Sequence, residues 1–502
     1  MKVNEDIPPV LPDAKAPKTV PLKTKIAFSS GALEEAIVAA ASVTTMIFYN
    51  QVLGVSAALC GVVFLVASII DAITDPMLGS ISDSIRSRWG RRHPLMLSSV
   101  LPLCLGFYLL YVPPGGMSET FYFWWFLATL ALLRIGKTLY VVPHNALGAE
   151  LTDDYHERTS LFGLNAVVGM IGGISLMMLV LLVFFPSTEG YENGLVNPDG
   201  YSTMAFMGAT AIGLSVLYCV FGTRDQIPLL HNVDGQPVHL RDSWHDLIVL
   251  LTSRSYLAIT LSWLVMTLSF GIWGTVGTYA FLYGFELSTE QMSIQRFLML
   301  PGMLLALPLA VWLGRKLDKK QTVIVSNLFG AFFVGLPLTL KLLGLFPAND
   351  SIWMMVALFG SLCIGFLVYP VAAIIIDSQL ADVTDEHEYR TGRRAEGIVF
   401  SIRTFMLKAT SGLGGLAGGL GLAFIGFPEN ASQETLTPAM IDGLFFMCGP
   451  LYWILVAAGM AIMGMHNLSA VRHGAIMQEL RQRRATQNGL IAQEGERLSA
   501  RA

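Results

Sequence analysis

Apolar residues in this chain fall into about twelve long runs, each near the length of about 20 residues that a helix needs to cross a bilayer. Polar residues are gathered in the segments between them. The runs begin near Ile26, Val55, Leu95, Phe121, Leu161, Thr203, Tyr256, Met292, Thr322, Ile352, Gly397 and Gly443. This pattern predicts an all-α integral membrane protein whose spans account for most of the length. The stretch up to Lys25 is polar and dotted with proline, and the first apolar run is too long for the core of a signal peptide. Residues 1–25 therefore read as a cytosolic N-terminal tail.

Composition sharpens the class. With 53% hydrophobic and 14% charged residues and a mean hydropathy of +0.58, the chain lies outside the range of soluble globular domains. Its 32 Lys and Arg set an orientation, because cytoplasmic loops accumulate them. Residues 112–120, 186–200, 346–351 and 428–440 contain none, while the alternate loops carry Arg91, Arg92, Arg158, Arg224, Lys316, Lys319 and Arg390. Both termini are expected in the cytoplasm, which requires an even number of spans. Topology accounts for the basic residues, so nucleic acid is not an expected partner. The five cysteines lie in apolar runs without metal-ligand spacing and read as small packing residues.

The longest cytosolic connection, 224–254, divides the spans six and six, into 26–223 and 255–466, with a cytosolic tail at 467–502. That is the layout of a duplicated transporter. The loop after span two contains Gly79, Asp83, Gly90, Arg91 and Arg92; the loop after span eight contains Gly314, Arg315, Lys316, Asp318, Lys319 and Lys320. These basic loops resemble the short signature of the major facilitator superfamily. The basic tail reads as a solvated end, with an amphipathic helix on the inner leaflet as the alternative. The glycine run 412–421 lies mid-span, where small residues let helices approach closely.

Charges inside a span cost several kcal/mol, on the order of 3 on insertion scales, so each needs a reason. Glu34 and Glu35 lie in span one, Asp71 and Asp75 in span two, Arg134 and Lys137 in span four, and Arg403 and Lys408 in span eleven. One reading makes them interhelical fasteners. The other starts from Asp71 and Asp75, whose i, i+4 spacing puts both carboxylates on one helix face. With hydroxyls and a lysine opposite, such a pair can bind Na⁺ through oxygens or exchange a proton, and the lysine can compete with the cation.

The segment DAITDPMLGSISDSIRSRWGRRHP, from Asp71, resembles the span-two signature of the glycoside-pentoside-hexuronide:cation symporters, the melibiose permease family, which also includes sodium-coupled lysophosphatidylcholine carriers. VVPHNALGAELTDDYHERT, from Val141, and RTFMLKATSG, from Arg403, resemble further segments of that family. The resemblance implies a major facilitator fold of twelve transmembrane helices in two pseudo-symmetric six-helix halves. It also implies that Asp71, Asp75 and Thr138 bind the coupling cation, as metal ligands if that cation is Na⁺. Lys408 falls on the lysine beside that site, and Thr404 on a residue lining the region. The family's span-one carboxylate falls on Glu35 after a shift of one residue, leaving Glu34 open. Where its galactoside carriers have an aspartate, a tryptophan and an arginine, this chain has Val141, Asn145 and Ala166.

The expected substrate site is Glu34, Glu35, Arg134, Lys137, Asn145, Trp273 and Thr404, with Tyr279 nearby. Trp273 stands between Gly271 and Gly274, which would let span seven bend and aim the indole inward. The expectation is a cation-coupled symporter, driven by Na⁺ or H⁺, that imports a glycoside or uronide. It would act as a monomer in the bacterial inner membrane, with membrane lipid and a small-molecule substrate as partners and no cofactor beyond the coupling ion. The alternatives are a symporter of a lysolipid or other anionic amphiphile, and a non-transporting sensor or scramblase. No nucleophile, zinc or nucleotide motif suggests an enzyme.

Overall fold

The computed structural model describes residues 19–85, 87–152, 155–191, 193–229, 249–298, 300–392, 396–432 and 434–483. The expected N-terminal tail up to residue 18, the middle of the 224–254 loop and the end of the C-terminal tail lie outside them. The named elements are α1 (Leu22–Ser30), α2 (Ala32–Ile47), α3 (Ala57–Ser84), α4 (His93–Ser98), α5 (Val100–Tyr111), α6 (Glu119–Glu150), α7 (Tyr155–Leu179) and α8 (Asp199–Gly222) before the central loop. After it come α9 (Arg254–Tyr279), α10 (Thr289–Phe297), α11 (Leu300–Lys316), α12 (Lys319–Leu342), α13 (Ile352–Thr391), α14 (Glu396–Phe424), α15 (Pro438–Cys448) and α16 (Pro450–Gly464).

Helix starts follow ordinary capping chemistry. Ser118 accepts from Phe121 N ahead of α6, Ser288 forms a capping box with Gln291 ahead of α10, and Thr437 accepts from Met440 N ahead of α15. Among the described residues, ten helices are long and apolar enough to cross a membrane, and Thr289–Ala306 with Pro308–Lys316, bent by 52°, would be an eleventh span. The bend falls at Pro308, whose missing N–H breaks the ladder. The remaining long helix, α14, has 29 residues but includes Arg403, Lys408 and the glycine run, which dilute its hydropathy. Against the twelve expected runs, the described residues thus show ten plain spans and an eleventh in the bent pair, while the run from Gly397 folds as α14, which is less apolar than these.

Two segments repeat with a spacing of 232 residues. Phe48–Val52, after α2, and Ala280–Gly284, after α9, are both π-helical turns. In the first, Leu53 N donates to Phe48 O at 3.0 Å and Val55 N to Tyr49 O at 2.9 Å; in the second, Phe285 N donates to Ala280 O at 2.9 Å and Leu287 N to Phe281 O at 3.0 Å. At the other end, Glu150 and Asp382 share the spacing. Glu150 accepts from Arg92 at 2.7 Å and Asp382 from Lys319 at 2.6 Å, so both basic loops are tied to the helix two spans on.

The glycine run serves close packing. A Cβ on Gly412 would stand 2.4 Å from Ser68 Oγ, and one on Gly419 would stand 2.2 Å from Ala57 O. Glycine at these positions brings α14 against α3, one of the closest helix pairs in the molecule. The tail differs from a solvated end. Residues 470–483 are helical, with Ile476 and Leu480 buried, Arg472 paired to Glu386 at 3.1 Å and His473 to Asp385 at 3.1 Å. Its apolar stripe covers the protein, where α13 runs 40 residues and outreaches the bilayer.

Candidate functional site: a charged pair under a closed end

The centre of the site is built by two helices in register. Asp71 and Asp75 are one turn apart on α3, and Arg134 and Thr138 are one turn apart on α6, so the two faces meet side chain to side chain. Arg134 Nη1 donates to Asp71 Oδ2 at 2.8 Å. Thr138 Oγ1 donates to Asp75 Oδ1 at 2.9 Å, and Thr74 Oγ1 lies 3.4 Å from Thr138 Oγ1. From α14, Lys408 Nζ forms an ion pair with Asp75 Oδ2. The residues expected at the cation site, Asp71, Asp75, Thr138 and Lys408, are therefore brought together. Two carboxylates and a hydroxyl are oxygen donors of the kind a hard cation takes, and either carboxylate can take a proton.

The other charges also find partners. Lys137 Nζ donates to Glu35 Oε1 at 2.9 Å. Arg403 pairs with Asp377 of α13, its Nη2 donating at 2.8 Å. Glu34 is fully buried, and neither of its oxygens has a hydrogen-bond partner among the described residues.

Beside the pair lies a cavity of about 520 Å³. Ser42 and Met46 of α2, Phe64 of α3, Arg134 of α6, Trp263, Thr267, Phe270 and Thr278 of α9, Tyr369 of α13 and Thr410 of α14 line it. Of the expected substrate residues, Arg134 lines this cavity; Glu34, Glu35, Lys137, Asn145, Trp273 and Thr404 do not. Asn145 and Thr404 are exposed. Trp273 is buried and packs against Phe270, Phe281 and Phe366, because α9 stays helical through Gly271 and Gly274 and the indole takes the core-facing side. Trp263, ten residues earlier, is the tryptophan on the cavity wall. Tyr279 is also on the wall, at its closed end.

That end is sealed by bonds between the first and second halves of the chain. Tyr279 donates to Asn50 Oδ1 at 2.8 Å and Tyr283 to Gln51 Oε1 at 2.8 Å. Gln51 also accepts from Ala431 N at 2.9 Å and donates to Pro428 O at 3.1 Å. Ser187 Oγ donates to Glu290 at 2.7 Å, and Asn193 Nδ2 to Leu287 O at 2.8 Å. All of these bonds lie at the end whose loops carry no Lys or Arg.

A helical bundle with charged side chains paired at mid-span around a cavity, closed at one end, defines a multi-pass membrane transporter. A model of the MFS/sugar transport protein family matches residues 27–470, and the chain belongs to that family, among the glycoside, pentoside and hexuronide symporters. The inner membrane symporter YicJ of Escherichia coli is 28% identical over 89% of this chain and 92% of its own length. The isoprimeverose transporter of Lactiplantibacillus pentosus is 26% identical over 78% of this chain and 77% of its own. In fold, the chain resembles the crystal structure of the nucleoside transporter NupG, with a TM-score of 0.55 at 16% identity, covering 88% of this chain and 98% of that one.

Proposed function

We propose that this protein is a cation-coupled symporter that imports a small glycoside or uronide by alternating access. Its two six-helix halves rock about the central cavity, in a bacterial inner membrane, with both termini inside. The observation that carries this reading is the coupling of Asp75 to Lys408 across the α3–α14 interface, beside Asp71 and Thr138. Lys408 and Arg134 supply the positive charge that the two carboxylates need in this conformation. A Na⁺ ion or a proton competes for the same oxygens and releases the lysine, so cation occupancy alters a bond that joins the halves. Differential stability of the two states is what coupling requires.

The direction of access follows from loop charge. The sealed end has the loops free of Lys and Arg, which face outward by the positive-inside rule, so the molecule is read as inward-facing. Hydroxyls of Ser42, Thr267, Thr278 and Thr410 on the wall suit a polyhydroxylated ligand, and Trp263 and Phe270 offer flat apolar faces to a sugar ring. Arg134 is the charged group on that wall, which extends the substrate class to uronides. Transport by a relative named for isoprimeverose favours a sugar over a lysolipid. The test is uptake of labelled glycosides, uronides and lysolipids into proteoliposomes under imposed Na⁺ or H⁺ gradients. Gradient-driven accumulation of a sugar is expected, whereas accumulation of lysolipids alone would overturn the substrate class.

A further inference from the structure

At the centre of the molecule each cation has its acid: Arg134 has Asp71, Lys137 has Glu35 and Lys408 has Asp75. Glu34 is left over. It precedes Glu35 on α2, so the two side chains leave the helix about 100° apart. The Glu35 side chain is 61% exposed and holds Lys137; Glu34 is fully buried with both oxygens unpartnered. From α6 it faces Lys137 and Tyr140, with His144 one turn further on, and from α8 Cys219 lies against Tyr140. The His144 ring is stacked on Phe28 and Tyr140, with Nε2 2.9 Å from Phe28 O. Along this stretch α7 meets α2 through Gly169 and Gly172, against Ala32, Leu33 and Ala36, and α1 carries Lys25, bound to Glu157 at 2.7 Å. Enclosing an ionised carboxylate that accepts no hydrogen bond costs far more than enclosing the neutral acid, so full burial favours the protonated form even with Lys137 nearby.

We propose that Glu34 is a proton-binding site separate from the Asp71–Asp75 pair, and that its proton decides which of the two adjacent carboxyls Lys137 holds. While Glu34 is the neutral acid, Lys137 stays on Glu35. When the O–H bond breaks and the proton passes to water, the carboxylate left behind draws Lys137 inward. Glu35 then loses its partner and becomes a bare acceptor at the cytosolic side of the first half. The protonation stands independently of the symport reading; its effect on transport rests on that reading.

Infrared spectroscopy of the purified protein tests the site without any substrate. At neutral pH the wild type is expected to show the carbonyl stretch of a neutral carboxylic acid. That band should be lost in Glu34→Gln, kept in Asp71→Asn, and shifted in wild-type protein grown with carboxyl-¹³C glutamate. An unchanged spectrum in Glu34→Gln, or a band that ignores the label, overturns the proposal, and the label alone decides if the variant does not fold. For the switch, Glu34→Gln should behave at alkaline pH as the wild type does at acidic pH in uptake KM. Identical pH profiles in the two proteins overturn it. A wild type that shows the band but accumulates no solute would count against the symport reading alone.

Discussion

Lys408 and Asp75 are 333 residues apart in sequence, and their ion pair ties the glycine-rich helix of the second half to the charged helix of the first. It is a polar tie at mid-span between parts of the molecule whose other hydrogen bonds to each other, among the described residues, lie at the end whose loops carry no Lys or Arg. Under the proposed coupling, loss of this tie would act on the relation between the halves rather than on either alone.

Neutralising the carboxylates should separate folding from coupling. Asp71→Asn and Asp75→Asn each preserve volume while removing a ligand charge. Gradient-driven accumulation is expected to fall to background in both, with the proteins still eluting as single species. Concentrative uptake by either variant, measured in vesicles, would remove that carboxylate from the cation site.

Lys408→Met should stop or uncouple transport, because nothing then reports cation occupancy to α14. It leaves Asp75 with Thr138 alone, and unpairing one partner of a buried pair costs about 3–5 kcal/mol at full burial. The Lys408 side chain is 35% exposed, so the thermal cost should be well below that figure. In the double variant with Asp75→Asn part of that cost should return, and strict additivity of the two melting-temperature shifts would mean that the pair contributes no coupling.

The approach of α14 to α3 can be attacked without touching a charge. Gly412→Ala places a methyl against Ser68, one turn beyond Lys408. Overpacking of this kind costs about 1–3 kcal/mol. Lower thermal stability together with weaker cation dependence is expected; a variant with wild-type melting and coupling would show that the interface yields freely.

At the sealed end, Gln51→Ala removes three bonds to the second half. Each is worth about 0.5–1.5 kcal/mol, so the balance of states should move toward outward opening by roughly tenfold or more. Labelling of Ser42→Cys by a membrane-impermeant thiol reagent added outside should accelerate. No change in that rate would place the outer seal elsewhere.

Substrate charge should be read by Arg134. Replacing it with Gln is expected to weaken uronide affinity about ten- to a hundredfold, as for a lost charge-assisted hydrogen bond of about 1.5–3 kcal/mol, with less effect on neutral glycosides. Binding measured side by side for a matched acid and alcohol decides this. Melibiose and lactose are not expected to accumulate, since Val141, Asn145 and Ala166 stand where the galactoside carriers have polar partners.

The clustering of Asp71, Asp75, Thr138 and Lys408 was legible because charge in an apolar run is costly and i, i+4 spacing specifies a face; the four residues follow from those two facts and the resemblance. The cavity wall was not. Thr267, Thr275 and Thr278 each bond a carbonyl of their own helix, so a hydroxyl in a span says little about what it faces. Trp273 went astray for a related reason: flanking glycines permit a break in a helix, yet α9 runs unbroken through them and the indole packs among phenylalanines. Asp377, the partner of Arg403, was overlooked because α13 runs on for 40 residues without a break, which hides where its apolar span ends.

Among the paired turns that end α2 and α9, one difference stands out. Gly54 has a left-handed φ of 72°, and its counterpart 232 residues on is Glu286, with φ 53°. Glycine adopts that geometry freely, whereas a longer side chain is strained there by about 1–2 kcal/mol. The turn after α9 thus holds backbone strain that the corresponding turn after α2 does not. Under the proposed rocking, a change at these turns would release backbone strain at Glu286 and none at Gly54, so the two halves would not move at equal cost.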